Sequence, residues 1–499
     1  MNNFDIEKLL KTLRDKPEDY WIKRGKSMVL KLFYQMTKGV PAYKNFLKSY
    51  KVSSSNIKNI KNFSNIPTID KNNYLRKYSL KNLCWNGKFK EQSWVIASTS
   101  GSAGEPFYFP RQDEQDLQYA LLAELYLRTN FEIHKKSTLY IDAFPMGPWI
   151  GGIFTYQVIK IITQRGNYKL SIITTSVDKI EIIKAIKKFG KEFDQIIIGC
   201  YAPFLKDTID DGIRHGVKWK DYNLKFIFSA EGFSETFRDY IIKKTGLKNP
   251  YKDTLNHYGT VDQGTLSYET PISILIRRLA LKNKKLYKSI FGNIYKLPTL
   301  TQYMPEMFYF ENVDGKLFCS SHSGLPLIRY DLKDNGGIID FEQMKKLFFN
   351  QGVNLLREIK KAKIENTVWK LPFVYVYERN DFSVSFYAFQ IYPETIKKAL
   401  QTNILKDKIT GKFLMMVRLN KKQDQYLEIN VELKAKIKGS KALKQKINNF
   451  VVKRLLKENS EYRKTYSKIF KKAIPQIIFW PYEDKLYFKS GIKQKWIKK

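Results

Sequence analysis

The chain has 499 residues, 43% hydrophobic and 15% aromatic, which is enough for two or three domains with sizeable cores and too apolar for disorder. Its net charge of +40 raises a nucleic-acid or anionic-membrane partner, yet lysine is spread along the whole chain beside abundant Asn, Ile, Phe and Tyr, as an A/T-rich codon bias produces. Three scattered cysteines (Cys84, Cys200, Cys319) and four histidines argue against a disulfide framework or a structural zinc site and fit a reducing cytoplasm, and no apolar run approaches the ~20 residues of a membrane helix.

Residues 1–92 read as mostly helical, with clear runs at 21–38 and 43–51. The first fourteen residues mix Asp5, Glu7, Lys8, Lys11 and Arg14 with short apolar steps, unlike a signal peptide. Pro67 breaks the chain, and Asp70 can cap a helix beginning near Asn72. Trp94-Val95-Ile96-Ala97 then reads as a strand feeding Thr99-Ser100-Gly101-Ser102-Ala103-Gly104-Glu105-Pro106. Such a loop leaves backbone N–H groups free to converge on an anion, with hydroxyls as extra donors and glycine permitting close approach. It is not a Walker loop, because Glu105 follows Gly104 where lysine is required.

Between 137 and 260, short apolar runs alternate with helical ones. Leu139-Tyr140-Ile141, Leu170-Ser171-Ile172-Ile173, Gln195-Ile196-Ile197-Ile198 and Lys225-Phe226-Ile227-Phe228 are strand-like, and 178–189 and 234–244 are helical. This predicts a parallel sheet covered on both faces, with the loops after Ala97, Phe228 and Leu255 beyond the carboxyl ends of strands, where ligands bind. Past Asp381 the rhythm changes: a strand over 382–389, a helix over 393–402 opened by its proline, and two alternating strands through Phe413, Met415, Val417, Leu419 and Leu427, Ile429, Val431, Leu433. Ser440 can cap a helix with Leu443, Ile447, Phe450, Val451 and Leu455 on its apolar face, and 476–480 is a last strand. The order β-α-β-β-α-β predicts a small ferredoxin-like domain. The RNA-recognition fold has the same order, but neither 382–389 nor 426–433 carries its signature of stacking aromatics.

Four further segments come after the hydroxyl-rich loop: Ser229-Ala230-Glu231-Gly232, Tyr258-Gly259-Thr260-Val261-Asp262, Arg329-Tyr330-Asp331-Leu332-Lys333-Asp334, and Glu378-Arg379-Asn380-Asp381. Singly they are ordinary: Tyr258-Gly259 alone suits a turn with a core tyrosine, and Asp334 alone suits a surface loop. Together and in this order they resemble the adenylate-forming superfamily of acyl-CoA synthetases, adenylation domains and luciferases. Val40-Pro41-Ala42-Tyr43 and Ile66-Pro67-Thr68-Ile69-Asp70-Lys71, with about ninety residues ahead of the loop, resemble its phenylacetate–CoA ligase-like branch.

The resemblance implies an α/β fold. A large N-terminal domain would have parallel-rich sheets covered by helices, with a lead-in at 1–92 and a core at 93–380. A small C-terminal α+β ferredoxin-like mobile domain at 381–499 would join it through a hinge at Asp381. It implies that Thr99, Ser100, Gly101, Ser102 and Gly104 wrap the ATP phosphates, that Ala230 and Glu231 contact adenine, and that Tyr258, beside Gly259, stacks on it. Thr260 would reach the α-phosphate, Asp262 would hold Mg²⁺ in place of the usual glutamate, Asp334 would bind the ribose and Arg379 would be the hinge-motif arginine. An ungapped match puts Ile492 at the catalytic lysine, so Lys493 takes that role by a one-residue shift, with Lys495 in reserve. Trp149 falls in the segment that lines the acyl pocket, beside a plain core-packing reading, and His257 is as readily structural as catalytic.

The implied activity is an ATP-dependent ligase that turns a small carboxylic acid into an acyl-adenylate and passes the acyl group to coenzyme A. An amine, a carrier-protein thiol or a sugar as acceptor stays open. So does a degenerate, nucleotide-binding member, given the departures at Gly232, Asp262, Lys333, Glu378 and Ile492. No membrane span and no nucleic acid are expected, the expected location is cytoplasmic, and a homodimer is left open.

Overall fold

A computed structural model describes residues 5–99, 106–292, 297–379, 383–488 and 497. The lead-in is helical as expected, with helices Glu18–Gly39 and Pro41–Ser49 meeting at Pro41, a proline at the first helical position where its missing N–H costs nothing. Trp21, Val29, Phe33 and Met36 line the buried face of the first, and Tyr43 and Phe46 that of the second. Asp70 is a cap as expected, accepting from the N–H groups of Asn72 and Asn73, but the element it opens is one π-helical turn, Lys71–Leu75. The chain just before it is held in a bridge to the main sheet: the Ile69 N–H donates to the Arg329 carbonyl at 3.2 Å and the Asp331 N–H to the Ile69 carbonyl at 2.9 Å.

The strands among the described residues are, in order, β1 Val95–Ser98, β2 Tyr108–Arg111, β3 Thr138–Asp142, β4 Leu170–Thr174, β5 Gln195–Cys200, β6 Leu224–Phe228, β7 Thr254–Thr260, β8 Gly264–Tyr268, β9 Thr299–Gln302, β10 Phe308–Val313, β11 Lys316–Ser321, β12 Leu327–Ile339, β13 Phe373–Arg379, β14 Val384–Phe386, β15 Phe389–Ile391, β16 Ile409–Leu419, β17 Gln425–Leu433 and β18 Gln476–Trp480. Eleven form one mixed sheet in the order β10-β11-β12-β13-β9-β8-β7-β6-β5-β3-β4. The four apolar runs singled out in the sequence are β3 to β6, and with β7 they make the parallel half. Helices Lys179–Phe189 and Glu235–Thr245 cover it where the periodicity places them.

Two expectations are corrected. The strand before the hydroxyl-rich loop does not join the parallel sheet; β1 pairs antiparallel with β2 in a separate two-stranded sheet. The nine residues from Thr99 to Phe107 are fewer than the dozen or so that a parallel crossover needs, and β2 runs antiparallel to β1. The run 382–389 is not one strand. Tyr387 and Ala388 take left-handed φ values of 47° and 68°, the two-residue turn that folds β14 onto β15.

The ferredoxin-like pattern is therefore partial. A three-stranded sheet, β16-β17-β18, has β18 parallel to β17, and helices Lys441–Glu458 and Ser460–Ile469 make the crossover. The alternating residues Phe413, Met415, Leu427, Ile429 and Val431 face Ile447, Val451 and Leu455 in an apolar cluster separate from those of the large sheet.

Candidate active site

The site is built at the carboxyl ends of the parallel strands. After β6 the chain turns through Ala230 in a left-handed conformation, φ 72°, and the side chain of Asn256, within β7, donates to the Glu231 carbonyl at 3.0 Å. Gly232 sits where a Cβ would come within 2.9 Å of Thr299 Oγ1. Beneath this turn lies a dry ionic network. Arg238 donates to both Glu269 oxygens at 2.9 Å and to Glu235 at 2.9 Å. Arg277 reaches Glu269 at 2.5 Å and the Phe233 carbonyl at 2.7 Å. All four side chains are buried. Burial opposes ionisation of Glu235, but Arg238 and Arg277 outweigh it and hold its carboxyl below the usual value.

The end of β7 carries the second group. Tyr258 stacks against Phe310 with ring centroids 6.4 Å apart, and its phenol donates to Asp334 Oδ2 at 2.6 Å. Asp334 is not a surface-loop acid. It lies within β12, 5% exposed, directly opposite Arg379 of β13 in the strand register. Thr260 Oγ1 accepts from the Gln263 N–H at 3.2 Å, closing the turn into β8. Lys333, where the resembled motif has glycine, adopts φ 62°, a backbone that glycine favours. Its ammonium bridges Asp70 and Asp331 at 2.8 Å each.

Asp262 is the residue at which the sequence points to a metal. Its Oδ2 accepts from the Tyr330 phenol at 2.7 Å, and its Oδ1 lies 3.2 Å from the Lys71 ammonium. Among the described residues no three His, Cys, Asp or Glu side chains gather to hold an ion. Mg²⁺ that binds with nucleotide phosphates and water needs only one or two carboxylates, and Asp262 would be the residue to hold it, in competition with the Lys71 ammonium.

The small C-terminal unit closes over the strand ends. Lys464 of the helix Ser460–Ile469 lies over the Trp149 ring, 4.6 Å from its centroid. Lys468 pairs with Asp178, and Lys472 with Asp207 and, at 2.9 Å, Asp424. Tyr387 donates to Asp207 at 3.0 Å, Lys206 pairs with Asp424, and Gln425 donates to Glu231 at 3.3 Å. Burial pushes the Asp207 carboxyl up against the pull of Lys472. Burial acts on Asp424 too, but hydrogen bonds from Lys206 and Lys472 hold it at about 2. Two carboxyls near this seam lack such help. Burial raises Asp142, at the end of β3, to about 8, and Glu461 to about 7.

The structure thus gathers Ala230, Glu231, Tyr258, Gly259, Thr260, Asp262, Asp334 and the backbone of Arg379 around one set of strand ends. Thr99 is present, its hydroxyl accepting from the Phe107 N–H at 2.9 Å. Ser100, Gly101, Ser102, Gly104, Asp381, Lys493 and Lys495 lie outside the described residues. His257 is fully enclosed, its imidazole lowered to about 3 by burial and its ring against Tyr126, which marks it as structural. Sequence reasoning missed Lys71, Tyr330 and the lysines of the closing helix. The spacing of Lys464, Lys468 and Lys472 by four residues was the available signal for the last.

No protein-family model matches the sequence, and no curated protein matches it. Solved structures do. The crystal structure of 2-hydroxyisobutyryl-CoA ligase with 2-HIB-AMP and CoA in the thioesterification state is similar with a TM-score of 0.65 at 12% identity, covering 98% of this chain and 91% of that one. The same ligase in the postadenylation state gives 0.55 at 12% identity, covering 98% and 90%. In an open conformation it gives 0.54 at 11% identity, covering 98% and 94%. The chain shares the fold of 2-hydroxyisobutyryl-CoA ligase.

Proposed function

We propose that this protein is an ATP-dependent carboxylate-activating ligase that forms an acyl-adenylate and transfers the acyl group to a thiol, with coenzyme A the first acceptor to test. The observation that carries the reading is the 2.6 Å contact between Tyr258 and Asp334, 76 residues apart, at the strand ends where the Ala230-Glu231 turn also arrives. An aromatic ring and a hydroxyl-binding carboxylate held together suit a nucleoside: the ring flanks the base and the carboxylate accepts from the ribose hydroxyls. The likeness in fold to a ligase crystallised with an acyl-AMP and CoA supports it, as does the larger overlap with its thioesterification state. The phenylacetate–CoA ligase-like branch stays a proposal resting on the lead-in motifs.

In this reading the residues work by position. The substrate carboxylate attacks the α-phosphorus, a P–O bond forms, and pyrophosphate leaves with the electron pair of the bond that breaks. Such transfer needs alignment and donors around developing negative charge rather than covalent help from the protein. Thr260 lies two residues from Tyr258 on the same strand end, where its hydroxyl can donate to the α-phosphate. The buried arginine network fixes the Phe233 carbonyl and with it the turn that meets the base. Lys71 keeps the Asp262 and Tyr330 side chains in register beside the site.

The test is ATP–pyrophosphate exchange over a panel of carboxylic acids, with phenylacetate included. Exchange dependent on one class of acid is expected, falling at least ~100-fold in Lys493→Ala. Nucleotide binding by calorimetry without exchange for any acid would leave only the degenerate reading. Full exchange in both Lys493→Ala and Lys495→Ala would remove the catalytic-lysine assignment.

A further inference from the structure

A narrow cleft lies between the β1–β2 hairpin and the turn from β7 into β8. Ala97, Val261 and Asp262 line it, with Phe109, Ile150 and Leu325 as further apolar wall. Two polar side chains complete the lining, Arg111 at the end of β2 and Gln115 in the first turn of the helix Asp113–Thr129. Contacts tie both to the strand-end site. Gly264 lies directly opposite Thr260 in the β7–β8 register. At its left-handed φ of 79°, a Cβ would come within 3.4 Å of Gln115 Nε2 and 3.2 Å of the Phe154 ring. The Arg111 guanidinium lies over that same ring, 4.6 Å from its centroid. On the β2 side, the Lys71 ammonium that lies 3.2 Å from Asp262 Oδ1 sits 5.6 Å from the centre of the Phe109 ring.

Both polar side chains have donors left over. Arg111 is 3% exposed; its Nε donates to Asp116 Oδ1 at 2.6 Å, and its Nη2 has no partner among the described residues. Gln115, 5% exposed, makes no side-chain hydrogen bond among the described residues. Buried donors without acceptors are costly, and the cleft is too narrow for a water molecule to serve them. The charge, however, is already balanced. Arg111 and Asp116 form an ion pair closed to water, so what the cleft lacks is an oxygen acceptor rather than an anion. A second carboxylate would bring an unpaired charge into it, and a hydrocarbon would leave both donors unmet.

Resting on the ligase reading, we propose that this cleft sets the choice of acid. The substrate is short and carries an uncharged oxygen, a hydroxyl or a carbonyl, that accepts from Arg111 and Gln115. Its carboxyl stays beside Thr260, where that reading places the α-phosphate, and the second oxygen reaches past Val261 to the two donors. The size limit follows from the walls. β2 belongs to a two-stranded sheet apart from the main one, so the cleft widens by a small shift of that hairpin, enough for a few carbons rather than an aromatic ring. Arg111 and Gln115 are then specificity residues: they take no part in the phosphoryl transfer and decide which acid enters it.

The test compares ATP–pyrophosphate exchange within pairs of acids that differ by one oxygen: propanoate and lactate, butanoate and 3-hydroxybutanoate, pentanoate and 4-oxopentanoate. Succinate and phenylacetate complete the set. In the best pair the oxygenated acid exceeds its parent by at least ~100-fold in kcat/KM. Gln115→Leu, close in size, cuts that ratio at least ~10-fold and leaves the parent acid within about threefold of wild type. The double variant Arg111→Met with Asp116→Leu, which removes the ion pair without orphaning either charge, cuts it further. A structural role alone would lower both members of a pair alike and leave the ratio unchanged. Equal rates within every pair, a preference for succinate or phenylacetate, or a ratio unchanged in both variants overturns the proposal. Exchange with no acid at all, while calorimetry shows ATP bound, removes the ligase reading itself and this proposal with it.

Discussion

Two sets of ion pairs serve the same strand ends, and they are built differently. Under the Glu231 turn, planar guanidinium groups of Arg238 and Arg277 meet Glu235 and Glu269 in a region closed to water, with side-chain exposures of 0 to 4%. Across the seam to the small unit the cations are lysines, and Lys468 and Lys472 are 42% and 39% exposed. A guanidinium fork loses little further freedom once bound and tolerates burial, whereas an ammonium is strongly hydrated and readily returns to water. The first set is scaffold. The second is open to water at Lys468 and Lys472, although Lys206 is only 3% exposed where it meets Asp424.

The largest expected effect comes from breaking the scaffold on one side. Arg277→Met leaves Glu269 with one guanidinium fewer and the Phe233 carbonyl without its donor, and should lower unfolding free energy by about 3–5 kcal/mol. Urea denaturation measures it. A loss below about 1 kcal/mol would mean the network is no firmer than the seam, and the contrast would collapse.

Asp142 sharpens the comparison because it is a buried carboxyl at the same strand ends with no cation. Its Oδ1 accepts from the Phe144 N–H at 3.2 Å, and its Oδ2 finds no partner. Its folded value of about 8 lies above the ordinary 3.8, so between those values the folded chain holds a proton that the unfolded chain has released. Stability from this group is therefore lost as pH rises through that window. Asp142→Asn should melt higher than wild type at pH 8, by on the order of 2 kcal/mol relative to the difference at pH 5. Calorimetry across pH 4–9 checks the sign, and a constant difference would show that the carboxyl is ionised throughout.

The seam is next. Lys472→Ala removes the ammonium shared by Asp207 and Asp424, leaving Tyr387 on the first and Lys206 on the second. Because Lys472 is partly exposed, the expected loss is only about 1 kcal/mol, and 0.5 M salt should shrink it. Asp424 gives the acid limit: its folded value of about 2 is below the ordinary one, so its contribution is present above about pH 4 and fades as pH falls towards 2. Melting curves with and without salt measure the first, and an acid titration the second.

The sequence carried the parallel half of the sheet well. Short apolar strands separated by amphipathic helices have no other good arrangement, and β3 to β6 lie where the runs are. Ordered motifs carried Tyr258 and Asp334, because their chemistry is local to a strand end. The illegible contacts depended on pairing over distance. Lys71 finds Asp262 only because Ile69 bridges to β12, and nothing in the spacing of these residues announces it. The β14–β15 hairpin was hidden because Tyr387 and Ala388 turn the chain without the Asn-Gly that marks such turns. The contacts of Lys464 and Lys468 with Trp149 and Asp178 were not legible, since a lysine-rich chain makes every basic face look solvated.

Lys333 tests the smallest difference between scaffold and seam. Its φ of 62° is a conformation that a side chain disfavours by about 1 kcal/mol, and glycine at this position would relieve that strain. Glycine also adds freedom to the unfolded chain, worth about 0.4–1 kcal/mol in the opposite direction. The remaining quantity is the ammonium bridge from Lys333 to Asp70 and Asp331, 42% exposed on the lysine side and so worth at most about 1 kcal/mol. These effects nearly cancel, and Lys333→Gly should change stability by less than about 1 kcal/mol, read as a Tm shift of a few degrees at most. A loss above about 2 kcal/mol would place the bridge with the scaffold, because only a tie that holds the lead-in onto β12 could outweigh the relief of the backbone.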